Sequence, residues 1–265
     1  MSRGGCCAVA LLLCLRALPL MAQEPAVLNI AAEGAVGRPG PAVYPSQARL
    51  SDVVQAAGVQ PEAYVLGAAW LQPDLQRDQL RLRAGLLYEL GAIRRQAMAS
   101  GNDPLAESAA AFQAWLSARP ITGRRPGVTL DPGRLDVTPA DDWPVHEGDT
   151  LFYPRRPSDV RVVGAVDKAC RLPQVPMQDA RRYLAACPAS RAADPDLIYV
   201  VQPDGAVFEQ NIALWNRAAP RPLAPGAWIY VPFHRRAVAG AADEGFNRDV
   251  ADFIATQLLS DEGWR

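Results

Sequence analysis

The sequence predicts an α+β chain of two tandem β-grasp-like domains, with a helical hairpin inserted in the first and an amphipathic helix at the C-terminus. Three observations carry this. A series of strand, Gly-Ala-Val, turn, helix and strand occurs twice, with Gly34-Ala35-Val36 and Gly164-Ala165-Val166 at corresponding places. Two long leucine-bearing segments with helical spacing lie inside the first copy only. A final segment places Phe246, Val250, Phe253, Ile254, Gln257 and Leu258 on one helical stripe.

The composition is globular, with 49% hydrophobic and 21% charged residues in a chain of 265. That length suffices for one large domain or two small ones, each with its own core. The formal net charge of −1 gives no basic field for nucleic acid.

Residues 1–22 read as a secretory signal peptide. Arg3 precedes the apolar run Ala8 to Leu15, Pro19 breaks it, and Ala22 suits the residue before a cut. The run is shorter than the ~20 apolar residues of a transmembrane span. Cys14 follows Leu13, while Cys6 and Cys7 precede the apolar run, so no lipobox pattern is met. The expected location is the periplasm, without stable membrane insertion. Two cysteines, Cys170 and Cys187, survive cleavage into an oxidising compartment. They are a candidate disulfide, the alternative being two buried thiols. A bridge there closes a loop of about 17 residues and stabilises by roughly 3 kcal/mol.

The first domain is expected over residues 23–156. Residues 27–35 read as a strand, Arg38 to Pro41 as a turn, and Ala48 to Ala57 as a helix ended by Gly58. Leu50, Val53 and Val54 form its core-facing stripe. Ala63 to Leu66 reads as the next strand. The hairpin insertion spans residues 74–118. Leu82, Leu86, Leu90, Ile93 and Ala97 share one face of its first helix, and Leu105, Ala109, Phe112 and Leu116 one face of its second. Gly101 ends the first helix, and Asp103 followed by Pro104 reads as the cap of the second. Thr129 to Pro132 and Arg134 to Val137 read as strand, and Glu147-Gly148-Asp149 as a turn into strand Thr150 to Tyr153.

The second domain is expected over residues 157–236. It holds a strand over 159–165, a turn at Arg171 to Pro173, a helix from Ala180 to Ala186, and strand Ile198 to Val201. Gln202-Pro203-Asp204-Gly205 reads as a hairpin turn, and Trp228 to Phe233 as the last strand. Residues 237–265 supply a tether and the C-terminal helix, expected over Asp243 to Leu259, with Asn247, Arg248, Asp249, Asp252 and Thr256 facing away from the stripe. That stripe, Phe246, Val250, Phe253, Ile254 and Leu258, either docks on its own domain or contacts a partner.

Residues with catalytic chemistry are sparse. There are two histidines, His146 and His234, and no HExxH, GxSxG or P-loop sequence. The residues define no metal site and no cofactor site. Asp141-Asp142 beside Trp143 offers two carboxylates, as glycoside hydrolysis requires. Adjacent residues on an extended segment point apart, so the pair reads as solvated loop charge. One cationic motif, Ile121-Thr122-Gly123-Arg124-Arg125-Pro126, follows the insertion. An arginine on a glycine turn presents a fork to a carboxylate or phosphate, or it serves as a linker or internal ion-pair partner. Arg124 is the candidate ligand-binding residue, expected in a surface cleft between the insertion and the first sheet.

Several motifs in order resemble the GfcC-like capsule biosynthesis family of Gram-negative periplasmic proteins. These are the ITGR segment ending at Arg124, Leu130-Asp131-Pro132, Gly148-Asp149 through Pro154, Gly164-Ala165-Val166, Tyr183-Leu184, Gln202 to Gly205, Ala213-Leu214-Trp215-Asn216, Pro225-Gly226-Ala227 and Val231-Pro232-Phe233. The resemblance covers nearly all of the mature chain. It implies two β-grasp domains akin to those of outer-membrane polysaccharide export proteins, a helical hairpin in the first and a C-terminal amphipathic helix near the second. It also implies a non-catalytic accessory of capsule or exopolysaccharide export, with polysaccharide or an outer-membrane polysaccharide export protein as partner, and maps the family's arginine onto Arg124. Arg125 and the Cys170/Cys187 pair depart from the family pattern. The alternative is a polysaccharide lyase or hydrolase in which Arg124 neutralises an acidic sugar.

Overall fold

The computed structural model describes residues 27–259. The expected signal peptide lies outside the described residues.

The first sheet begins with the antiparallel hairpin of β1 (Val27–Gly34) and β2 (Gly40–Pro45), in which Leu28 faces Tyr44. Helix α1 (Leu50–Ala57) follows and buries Leu50, Val53, Val54 and Ala57. Gly58 ends it in the left-handed conformation, φ 65°. After β3 (Ala69–Leu71) come α2 (Pro73–Ala99) and α3 (Asp103–Ser117), then β4 (Arg124–Arg125), α4 (Pro132–Val137) and β5 (Thr150–Tyr153). The sheet order is β2-β1-β5-β3-β4, with β1 and β5 parallel.

The second sheet repeats this topology. Its strands are β6 (Asp159–Gly164), β7 (Cys170–Pro173), β8 (Leu197–Val201), β9 (Val207–Asn211) and β10 (Trp228–Val231), with α5 (Ala180–Tyr183) between β7 and β8. Their order is β7-β6-β10-β8-β9, and β6 and β10 are parallel. Position by position this is the arrangement of the first sheet. The repeated Gly-Ala-Val has a shared cause. Gly34 and Gly164 sit at φ 85° and 106°. A Cβ on them would lie 2.1 Å from the Tyr153 carbonyl oxygen and 2.2 Å from that of Val231. The same carbonyls accept hydrogen bonds from Ala35 N and Ala165 N, each at 2.8 Å. Only glycine lets the chain leave the parallel pair this closely.

The insertion and the second sheet share one core. In place of the short turn that joins β8 to β9, residues 72–123 join β3 to β4, and their helices leave the first sheet to lie on the second. Phe112 stacks against Tyr230 at 5.6 Å and tilts against Phe233 at 6.0 Å, while Trp115 meets Trp228 edge-on at 5.8 Å. Trp228 and Tyr230 therefore face the hairpin, and Ile229 and Val231 alternate to the face of Ala180, Tyr183 and Cys187. Every residue of β10 is buried as a result. The first sheet keeps a smaller core of its own, in which Ile30, Leu50, Val53, Trp70 and Leu151 pack together.

Several local expectations are corrected. Ala63 to Leu66 is not a strand. Tyr64 N donates to the Pro154 carbonyl and the chain turns through a 3-10 segment, Val65–Gly67, before β3. Residues 132–137 are helix α4, because the Asp131 side chain accepts from Gly133 N and Arg134 N while Pro132 takes the first helical position. Arg171 to Pro173 belongs to β7, an edge strand where proline is tolerated. The cap of α3 is Asn102, which accepts from Leu105 N, and Asp103 is the first helical residue.

The tail forms a short helix α6 (Arg235–Val238) and α7 (Phe246–Ala255), with Leu258 beyond the helix. Phe246, Val250, Phe253 and Ile254 are buried in the shared core, and Leu258 is half-buried. Asn247 and Thr256, expected on the solvent face, are buried too. Asn247 Oδ1 accepts from Tyr230 Oη at 2.8 Å and Phe233 N at 3.1 Å, and its Nδ2 donates to the Phe233 carbonyl.

Cys170 and Cys187 are joined by a disulfide across a separation of 17 residues. It fastens edge strand β7 to the segment following α5. Replacing both cysteines by serine is expected to lower unfolding stability by roughly 2–4 kcal/mol. Urea unfolding of the double variant against the oxidised parent checks this, and an unchanged midpoint overturns it.

Candidate functional site

Each residue of the ITGR segment has a structural task. Ile121 packs against the shared core. Thr122 Oγ1 donates to the Thr256 carbonyl at 2.7 Å and accepts from Arg124 N at 3.0 Å. Gly123, at φ 75°, approaches the Gln72 carbonyl so closely that a Cβ would sit 2.4 Å from that oxygen. The Gln79 side chain accepts from Gly123 N and donates to the Arg124 carbonyl.

Arg124 does not lie in a surface cleft. Its residue is 3% exposed. Nη1 donates to the carbonyls of Ala255 (3.3 Å) and Gln257 (3.0 Å), and Nη2 to that of Pro203. Those carbonyls belong to the C-terminal end of α7 and to the turn between β8 and β9. A cation is favoured at a helix C-terminus, where carbonyl groups lack intrahelical partners. Burial pushes the guanidinium down to about 10, against the opposing pull of Asp204. The arginine fork is thus spent on the protein's own backbone, which is why the expectation of a ligand contact is set aside.

The accessible recess lies beside this latch. Leu66, Asp131, Arg134, Asp141, Trp143 and Asp204 border a cleft of about 470 Å³. It opens between loops of the first sheet and the β8–β9 turn of the second, held together by a 2.9 Å bond from Gly127 N to the Asp204 carbonyl. Trp143 is 45% exposed. Its carbonyl accepts from Leu50 N at 2.9 Å, fixing the loop to the start of α1. Arg125 lies between the Trp143 and Trp70 rings, 5.6 and 5.5 Å from their centroids, and donates from Nε to Gln72 Oε1.

Asp141 and Asp142, expected as solvated charges, are both engaged. Asp142 accepts from Ser51 N and Ser51 Oγ, each at 2.9 Å, and so caps α1 from a distant loop. Asp141 accepts from Arg134 Nε at 2.6 Å. The rim then carries Asp131, Asp141 and Asp204 against Arg134, already paired with Asp141, with the Arg125 guanidinium stacked on the Trp143 ring. An anionic sugar would meet like charge there. An aromatic face bordered by acceptors suits the C–H face and hydroxyl rim of a neutral sugar instead.

Sequence reasoning missed Trp143 and Asp204 as site residues. The available signal was a tryptophan amid Pro139, Asp141, Asp142 and Pro144, a polar loop that gives it no local core. His146, expected in an exposed turn, is exposed. Among the described residues no group of three or more His, Cys, Asp or Glu side chains could hold a metal ion. No helix among them is long and apolar enough to cross a membrane.

Comparison with known proteins decides the family. The model of the N-terminal domain of capsule biosynthesis protein GfcC matches residues 36–156, and that of its C-terminal domain matches residues 168–258. The chain belongs to the GfcC capsule biosynthesis family. It is also similar to the uncharacterized protein YjbG of Escherichia coli strain K12, with 30% identity over 196 residues, covering 73% of this chain and 78% of that protein. The two GfcC matches fall on the two sheets in order. Membership supports a role in capsule assembly.

Three stability outcomes separate the latch from the cleft. Arg124→Ala is expected to lower unfolding stability by about 2–4 kcal/mol, since it leaves three buried carbonyls without their donor. Arg124→Lys recovers only part, because an ammonium cannot span both groups of carbonyls. Trp143→Ala is expected to cost less than about 1 kcal/mol, as a half-exposed side chain. Thermal and urea unfolding of the three variants checks the order, and equal stability of Arg124→Ala and the parent overturns the latch.

Proposed function

We propose that the protein is a periplasmic, non-catalytic accessory of capsule or exopolysaccharide assembly that binds polysaccharide in the cleft beside Trp143. The observation that carries this reading is the match of both GfcC domains, and the cleft supplies a chemistry consistent with it. The disulfide between Cys170 and Cys187 supports an oxidising compartment. The indole takes the apolar face of a sugar ring, and the rim carboxylates accept its hydroxyls. The outer-membrane polysaccharide export protein is the proposed recipient of the bound polymer.

The lyase or hydrolase alternative loses its central residue. Arg124, meant to neutralise an acidic sugar, is directed at backbone carbonyls. Arg134, at the cleft, is paired with Asp141.

Electrophoresis of the mature protein through gels containing the host's purified exopolysaccharide tests the reading. Retardation is expected, with Trp143→Ala weakening it roughly tenfold, about 1.4 kcal/mol. Cells carrying Trp143→Ala should export less polymer at unchanged levels of the protein. Normal retardation and export by this folded variant would remove the cleft from function.

A further inference from the structure

Each unit carries a tryptophan on the same connection of the repeat, at different places along it, since the bridges Arg49–Pro144 and Asp179–Pro222 put Arg221 where the first unit has Trp143. In each, it lies on the connection from the fourth to the fifth strand of the repeat. Trp143 sits between β4 and β5, and Trp215 between β9 and β10. Trp215 is 78% exposed and its neighbour Leu214 86%. Two large apolar side chains side by side in solvent are unfavourable, and a loop free to relax would fold them inward.

This loop is built to keep them out. Ile212 N donates to the Asp196 carbonyl at 2.8 Å, and Asn216 Nδ2 reaches the same carbonyl at 3.4 Å. Trp215 Nε1 donates to Asp196 Oδ1 at 3.3 Å. Asp196 is itself held by a 2.9 Å bond from its N–H to Asp194 Oδ1, and Ala218 N closes the loop onto the Asn211 carbonyl. The indole is tethered at its nitrogen, and that bond brings a carboxylate to the edge of the ring. Asn216 Oδ1 is buried with no hydrogen-bond partner among the described residues.

We propose that Trp215 and Leu214 form a second sugar platform, which takes a neutral hexopyranose ring of the polymer held at Trp143. The proposal rests on the glycan-binding reading given above. The indole offers the apolar surface that a pyranose C–H face covers, and Asp196 offers an acceptor to hydroxyls at its rim. Two side chains are far too small for a protein interface, which needs on the order of 800 Å² per partner. A lipid surface would be favoured by Arg217 and Arg221, but Asp196, bonded to the indole itself, would be drawn into an anionic headgroup layer.

The two platforms lie toward opposite ends of the β8–β9 hairpin. Asp204, in the turn at one end of the β8–β9 hairpin, borders the first cleft. Trp215 follows the other end. Five residues of strand separate those ends, about 17 Å. A polymer engaging both gains avidity without new contacts at either.

The test uses the mature protein with Trp215→Ala, Trp143→Ala and the double variant. Electrophoresis is run through gels of three neutral polymers, dextran, galactomannan and hydroxyethyl cellulose, and of polygalacturonate. Co-sedimentation with phosphatidylglycerol vesicles is run beside it. Retardation by at least one neutral polymer is expected, weakened roughly tenfold by Trp215→Ala and further in the double variant, with unchanged melting temperature. Three results overturn the platform. One is wild-type retardation of Trp215→Ala where Trp143→Ala loses it, which leaves the cleft reading intact. Another is retardation by polygalacturonate alone, or by no polymer. The third is vesicle binding that Trp215→Ala abolishes, which assigns the loop to lipid.

Discussion

The stacking of Phe112 on Tyr230, with Phe233 and Trp115 around it, is the contact on which the arrangement of the whole molecule depends. Without the inserted hairpin, the second sheet would lose the cover of Trp228 and one flank of Tyr230, whose hydroxyl is held by Asn247 of α7. Each large side chain covered there contributes roughly 1.5–3 kcal/mol. The hairpin has the reciprocal need, because Leu86, Leu90, Ile93 and Leu116 find no partner in the first sheet. The two halves of the duplication therefore differ by a simple exchange, in which the first gives up a short turn and the second gains a cover.

Arg124 closes this arrangement at its other side. It lies on β4, where the chain re-enters the first sheet, and holds the end of α7 and the β8–β9 turn at once. A buried guanidinium is costly unless its donors are used. Carbonyl groups at the end of α7 and in the β8–β9 turn engage both terminal nitrogens without introducing a buried acid, while Nε is buried with no hydrogen-bond partner among the described residues. The latch also places Asp204 beside the first unit, so one wall of the cleft exists only because the units are fastened together. The latch and the cleft are thus coupled in geometry while resting on different residues.

The proposed binding surface lies on the loops. The second sheet is covered by the hairpin, while the β1–β2 hairpin of the first keeps an exposed face at Val27, Asn29 and Val43, and the strand-four to strand-five connections carry the exposed tryptophans. Both are fixed to neighbouring segments, Trp143 by its carbonyl accepting from Leu50 N and Trp215 by its indole N–H donating to the Asp196 carboxylate. Rigid loops on a rigid body suit a protein that presents surface to a long polymer.

The sequence by itself determined whatever depends on neighbours a few residues apart. The leucine spacing in α2, the stripe of α7 and the Gly-Ala-Val repeat are local, set by helical period and by the φ that glycine alone adopts without strain. The cap at Asn102 and helix α4 were equally local. They were misread because Asp103 and Thr129 to Val137 offer competing signals, and a side-chain cap outweighs a weak strand pattern. Tertiary structure alone decided that the hairpin covers the other unit's sheet and that Asn247 and Thr256 are interior. It also decided that Arg124 meets carbonyls more than 130 residues away and that Asp142 caps a helix 91 residues earlier. Residue type tells what a guanidinium or carboxylate can bind. Which group satisfies it is fixed only when packing brings distant segments together, since a carbonyl carries no mark in the sequence.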